Sequence, residues 1–113
     1  MMKNSKACII LVTVPNTKSA NFISETLLDA KLIAAVQNIG KIKSAYFWQG
    51  KKVKSGEYLL LLITLKKNFK KISQKIQEIH PYEVPQIISF DISQTTKEYS
   101  DWIIENTKGK NLK

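Results

Sequence analysis

Arginine is absent from this 113-residue chain: all 18 basic side chains are lysine, against nine acidic ones, for a formal net charge of +9. Such a balance raises binding to nucleic acid or to an anionic lipid surface as a function. Specific contacts of that kind lean on the bidentate guanidinium fork, which is missing here. The lysines are also scattered, with modest clusters only at 51–54, 66–71 and 108–113. A solvated surface is the favoured reading, and no specific nucleic-acid partner is expected. Cysteine occurs once, at Cys8, which excludes an internal disulfide; inside an apolar run it reads as a small buried hydrophobe. No stretch is long enough to span a membrane. The short apolar run near the N-terminus ends in Thr13-Val14-Pro15 without a small-residue cleavage site, so a strand is expected there rather than a signal peptide. A cytoplasmic protein is the expectation. There is no glycine-rich phosphate loop, no paired-cysteine metal spacing and no defensible Ser/His/Asp constellation. Enzymatic activity is not expected. The RNA-recognition signature is missing as well, because the aromatics crowd one hairpin tip.

What is present organises itself around one hexapeptide, His80-Pro81-Tyr82-Glu83-Val84-Pro85, which holds the only histidine and two of the three prolines. Pro81 biases His80 away from helical angles and Pro85 biases Val84 to an extended backbone. The segment is therefore a stiff connector from a helix to a strand, presenting an imidazole, a phenol and a carboxylate together. His80 with Glu83 is a candidate pair of ligands for copper, zinc or nickel. One histidine and one carboxylate cannot close a tight site within one chain, although a symmetric oligomer supplies further ligands. The alternative is a structural His80 whose ring is hydrogen-bonded to a carbonyl.

The rest reads as scaffold. Residues 7–14 are a continuous, β-branched apolar run, a buried strand. Ala20, Ile23, Leu27 and Ala30 recur with helical spacing, Ser19 is a plausible N-cap, and Glu25 and Asp29 should face water. Residues 32–39 return to strand, Gly40 suggests a bulge, and the extended pattern resumes through Ile42 and Trp48. Gln49-Gly50-Lys51-Lys52 reads as a turn and Lys54-Ser55-Gly56 as a second break before Tyr58–Leu65. Glu57 and Lys51 read as solvated hairpin charges. Phe69, Ile72, Ile76 and Ile79 form a second helical stripe with Asn68 as its cap; a strand at 86–92 follows. Thr95-x-x-Glu98 has capping-box form and opens a helix carrying Tyr99, Trp102 and Ile103 on one side.

The order β-α-β-β-α-β plus a terminal helix predicts a single α+β domain over 1–113, ferredoxin-like, with residues 1–6 and 108–113 flexible. The hairpin between the second and third strands is overlong. Ile33 to Trp48 fully extended would reach ~50 Å at ~3.3 Å per residue, whereas a globule of this size has a radius of gyration of ~13 Å. It must bend at Gly40 or protrude. A protruding tip with Tyr46, Phe47 and Trp48 exposes apolar surface and open edges, which argues for an oligomer whose interface these residues form.

Four segments resemble the CutA family of divalent-cation tolerance proteins: Thr13-Val14-Pro15; Lys31-Leu32-Ile33-Ala34-Ala35-Val36-Gln37; Ser44-x-Tyr46-x-Trp48-x-Gly50-Lys51; and the His80 hexapeptide. Together they cover nearly the whole chain. The resemblance implies a homotrimer built through the long hairpins, a plan shared with the PII nitrogen-signalling proteins. It also implies copper tolerance and copper binding, and, in animals, a link to membrane anchoring or processing of acetylcholinesterase. No established enzymatic reaction comes with the family. The family's typical cysteine in the second strand is Ala35 here, which should weaken Cu(I) binding most. Its frequent lysine near the end of the third strand falls at Thr64, which removes a cation from the expected inter-subunit cleft. The resemblance leaves three functions: a trimeric metal-responsive protein using His80 and Glu83, a PII-like sensor of a small anionic metabolite using Trp48, Lys51 and Tyr82, and a rigid trimeric interaction hub.

Overall fold

A computed structural model of the chain describes residues 2–3 and 6–108. Its elements are β1 (Met2–Lys3), β2 (Ala7–Val14), α1 (Thr17–Asp29), β3 (Ala35–Trp48), β4 (Lys51–Leu65), a 3₁₀ turn (Lys66–Asn68), α2 (Phe69–Ile79), β5 (Ile87–Asp91), β6 (Gln94–Thr95) and α3 (Lys97–Glu105). Four strands form one antiparallel sheet in the order β3-β4-β2-β5, and β1 pairs separately with β6. The expected frayed ends lie largely outside the described residues.

Register explains why β2 is apolar without alternation. Partners across a ladder share a face, and successive residues point to opposite faces. Cys8, Ile10, Val12 and Val14 pair with Thr64, Leu62, Leu60 and Tyr58. This row packs against Ala20, Ile23 and Leu27 of α1 and Ile72 and Ile76 of α2. The other row, Ala7, Ile9, Leu11 and Thr13, pairs with Leu65, Ile63, Leu61 and Leu59. Among the described residues only one end of that second face is packed under a helix, where α3 sets Ile103 against Ala7, Ile63 and Leu65. Beyond it the face is open: Ile88 and Phe90, the register partners of Leu11 and Ile9, are 43% and 51% exposed.

Local chemistry sets the helix ends. Asn16, not Ser19, is the N-cap of α1; its Oδ1 accepts from the Ser19 amide at 2.8 Å. At the other end Leu32 N–H bonds to Leu27 O and Lys31 N–H to Leu28 O, the Schellman pattern, with Lys31 at φ 59° where glycine is usual. The turn carries the chain past Ala30, which is exposed rather than part of the buried stripe, and the second long strand starts at Ala35 instead of residue 32. Leu32 and Ile33 are buried in that turn. Asn68 does not cap α2 with its side chain; its Nδ2 donates to Leu32 O and Thr64 Oγ1. The α3 cap is Thr96, and Tyr99 and Trp102 are exposed, stacked on each other, while Ser100 and Ile103 face inward.

The hairpin both bends and protrudes. A register shift falls between Asn38 and Gly40, where Gly40 has φ 114°. A two-residue Gln49–Gly50 turn with φ 51° and 79°, both positive as in a type I′ turn, closes the tip. Lys51 and Lys52 already belong to β4, which runs unbroken through Lys54-Ser55-Gly56, so no second break exists there. The long axis of the molecule is 45 Å. Tyr46, Phe47 and Trp48 are 39%, 73% and 39% exposed.

Candidate functional site

The His80 connector (residues 80–86) follows α2 and leads into β5. His80 has extended angles (φ −79°, ψ 138°), as Pro81 requires, while its N–H still closes the helix on Ile76 O. The ring is 8% exposed and both nitrogens are engaged. Nδ1 accepts from the Tyr82 amide at 3.0 Å, so it carries no proton. Nε2 therefore holds the hydrogen and donates to Thr13 O at 2.8 Å. One tautomer satisfies both bonds, and the ring pins the connector to the end of β2. A metal ion at either nitrogen must displace one of these partners.

The consequence of this pin is the placement of Tyr82. Its ring lies 4.9 Å from that of His80, and its hydroxyl donates to Glu57 Oε2 at 3.1 Å. Burial, and then the hydrogen bond and charge of Glu57, push the Tyr82 phenol up to about 12. Glu57 was expected to be solvated; it is instead 4% exposed. Parity sets the face: Glu57 lies two residues from Leu59 in β4 and so points to the sheet face away from α1 and α2, opposite Ile42, where Tyr82 of the connector meets it.

Above Glu57 lies a cleft of about 760 Å³. The hairpin lines it with Ser44, Tyr46, Trp48 and Glu57, and the connector with Tyr82 and Glu83; Thr13 joins from the end of β2. The fold thus brings together Trp48, Tyr82 and Glu83 of the residues singled out from sequence. His80 sits behind the wall. Lys51 stays exposed at the hairpin tip and does not line the cleft. Glu57 was read as a solvated charge, and only the strand parity of β4 signalled its position; Thr13 and Ser44 stand in two of the family-like segments but were given no site role. Among the described residues no three His, Cys, Asp or Glu side chains cluster closely enough to hold a metal ion.

A family profile described as CutA1 divalent ion tolerance protein matches residues 8–106. The chain belongs to the CutA family. The divalent-cation tolerance protein CutA of Thermus thermophilus is 37% identical over 99 residues, covering 88% of this chain and 96% of that one. A solved structure of the divalent cation tolerance protein of Thermus thermophilus superposes with a TM-score of 0.87, over 90% of this chain and 99% of that one, at 36% identity. The Archaeoglobus fulgidus protein, described as a periplasmic divalent cation tolerance protein, superposes with a TM-score of 0.87 at 30% identity, covering 90% and 99%.

For a CutA chain the two departures noted from sequence acquire positions. Ala35 pairs with Ile63, four register steps from Leu59, the partner of Thr13. That is roughly 13 Å along the sheet from the His80 pin. Thr64 faces the helix-covered core, fully buried, and donates to Leu32 O at 2.6 Å. The missing lysine therefore takes nothing from the cleft described here. Cys8, the partner of Thr64, is buried in the same layer with its thiol pushed up by burial, five residues along β2 from Thr13. It is no substitute for the family cysteine. Among the described residues no helix is long and apolar enough to cross a membrane.

Proposed function

We propose that this chain is a homotrimeric divalent-cation tolerance protein that binds copper or another divalent transition metal as part of a response to metal ions. The family match across residues 8–106 carries the reading. The strand order β3-β4-β2-β5, with two helices on one face, supports a ferredoxin-like arrangement, and the open apolar face of the same sheet supports assembly of three copies. The metal reading has a structural condition. One protomer does not offer a fitting donor set, because both His80 nitrogens are bonded and Glu57 is committed to Tyr82. Glu83, exposed at the cleft, is the available carboxylate. Donors must therefore converge from more than one copy, with His80 joining only by releasing Thr13 or Tyr82. A cytoplasmic location is part of the proposal, and cell fractionation tests it.

The deciding experiment is calorimetric titration of the metal-free protein with Cu(II) and with Zn(II), beside Glu83→Gln and His80→Ala, with the mass read by light scattering. A mass of three times the 12.9 kDa protomer and saturable binding weakened by Glu83→Gln are expected. Binding without defined stoichiometry, equal in all three proteins, would remove the metal role and leave the interaction hub.

A further inference from the structure

We infer that the cleft between the hairpin and the His80 connector is a binding site for a small organic cation, an aryl- or alkylammonium ion, held by Glu57 and the rings of Tyr46, Trp48 and Tyr82. The inference goes beyond the metal reading and does not depend on it.

Three observations converge. The first is charge. In a chain of net charge +9, the ionisable side chains facing the cleft are Glu57, Glu83, Tyr46 and Tyr82; among the described residues no lysine lines it. An anionic metabolite would meet carboxylates there and, among the described residues of the same protomer, no cation. The second is the state of Glu57. The residue is 4% exposed, and its carboxylate accepts one hydrogen bond, from Tyr82, and among the described residues forms no ion pair. A carboxylate with one hydrogen bond and no counter-ion has acceptor capacity left for the charge-assisted bonds of an ammonium group. The third is the wall. Aromatic faces attract a cation through their quadrupole, most strongly when it is desolvated. A hard divalent ion suits this wall less well, since it needs six or more oxygens. The volume of about 760 Å³ accepts a molecule of drug-like size or smaller.

The test uses the assembled protein. Benzylammonium chloride, benzyl alcohol and sodium benzoate are titrated at equal ionic strength, followed by calorimetry and tryptophan fluorescence. Benzylammonium is expected to bind at least about tenfold more tightly than either of the others. Glu57→Gln should weaken it by about tenfold or more, while Tyr82→Phe, which keeps the ring and frees the carboxylate, should retain it. Trp48→Leu, a change at a partly exposed position, should weaken binding without unfolding and serves if Glu57→Gln is unstable. Equal affinity for the alcohol, a preference for benzoate, insensitivity to both Glu57→Gln and Trp48→Leu, or no saturable binding by the assembled protein would each overturn the proposal. Zn(II) titrated into Glu57→Gln reads the metal proposal separately, since that rests on Glu83.

Discussion

The two faces of the central sheet are both apolar, yet they have different fates. Cys8, Ile10, Val12 and Val14 are shielded completely by α1 and α2. Their neighbours Ile9 and Leu11 point the other way, into a layer where α3 covers one end and leaves Ile88 and Phe90 exposed. The covered face is a finished core. The open face is apolar surface that the described residues leave partly exposed, and it carries at its margin the cleft with Glu57. Burial within the chain therefore accounts for stability on one side of the sheet, and the proposed assembly and ligand chemistry belong to the other.

The contrast is tested most severely from the covered side. Ile10→Ala should destabilise the protomer by about 2–5 kcal/mol, read by guanidinium unfolding, because it opens a cavity under two helices. A cost as small as that of a surface change would mean that the helices do not seal this face. On the open side, Phe90→Lys should leave the fold intact by circular dichroism yet abolish assembly, with the light-scattering mass falling to that of one protomer. An unchanged mass would show that the open face is not the contact. Thr64→Val removes a buried hydroxyl that serves Leu32 and Asn68, and should cost about 1–3 kcal/mol. Asn16→Ala should cost about 1 kcal/mol, since the cap orients α1 but burial holds it.

The last prediction concerns pH and belongs to the cleft. The Tyr82 phenol is raised from 10.0 to about 12, first by burial and then by Glu57, so between those values the folded state holds a proton that the unfolded state has released. Its contribution to stability is complete below pH 10 and declines as pH rises toward 12. A tyrosinate absorbance titration should show one late group that Tyr82→Phe removes and Glu57→Gln brings earlier. A late group in Tyr82→Phe would place the perturbation elsewhere.

The same division governs what could be read in advance. The helical stripes through Ile23 and Ile72, the bulge at Gly40 and the extended His80 backbone follow from spacing, glycine geometry and the proline ring, all local causes. The errors share another cause. Ser19 and Thr95 are both reasonable caps, but Asn16 and Thr96 hold those roles because the chain enters α1 and α3 there; Asn68 does stand at the start of α2, yet its side chain is recruited by Leu32 and Thr64 instead. Lys54-Ser55-Gly56 resembles a break, yet pairing with Ala45, Ser44 and Lys43 keeps it in strand.

By itself, the sequence determined an α+β chain with matched amphipathic helices, an overlong hairpin, a rigid histidine connector and membership signs of one family. These rest on periodicity and on backbone limits that act within a few residues. Tertiary structure alone decided that Glu57 is buried, that it meets Tyr82 across 25 positions of chain, and that both His80 nitrogens are spent on Thr13 and Tyr82. Register sets which side of a strand a residue faces, and a single step reverses it. That register is set by which strands pair and by one bulge, so the chemistry of the cleft became visible only once the sheet was assembled.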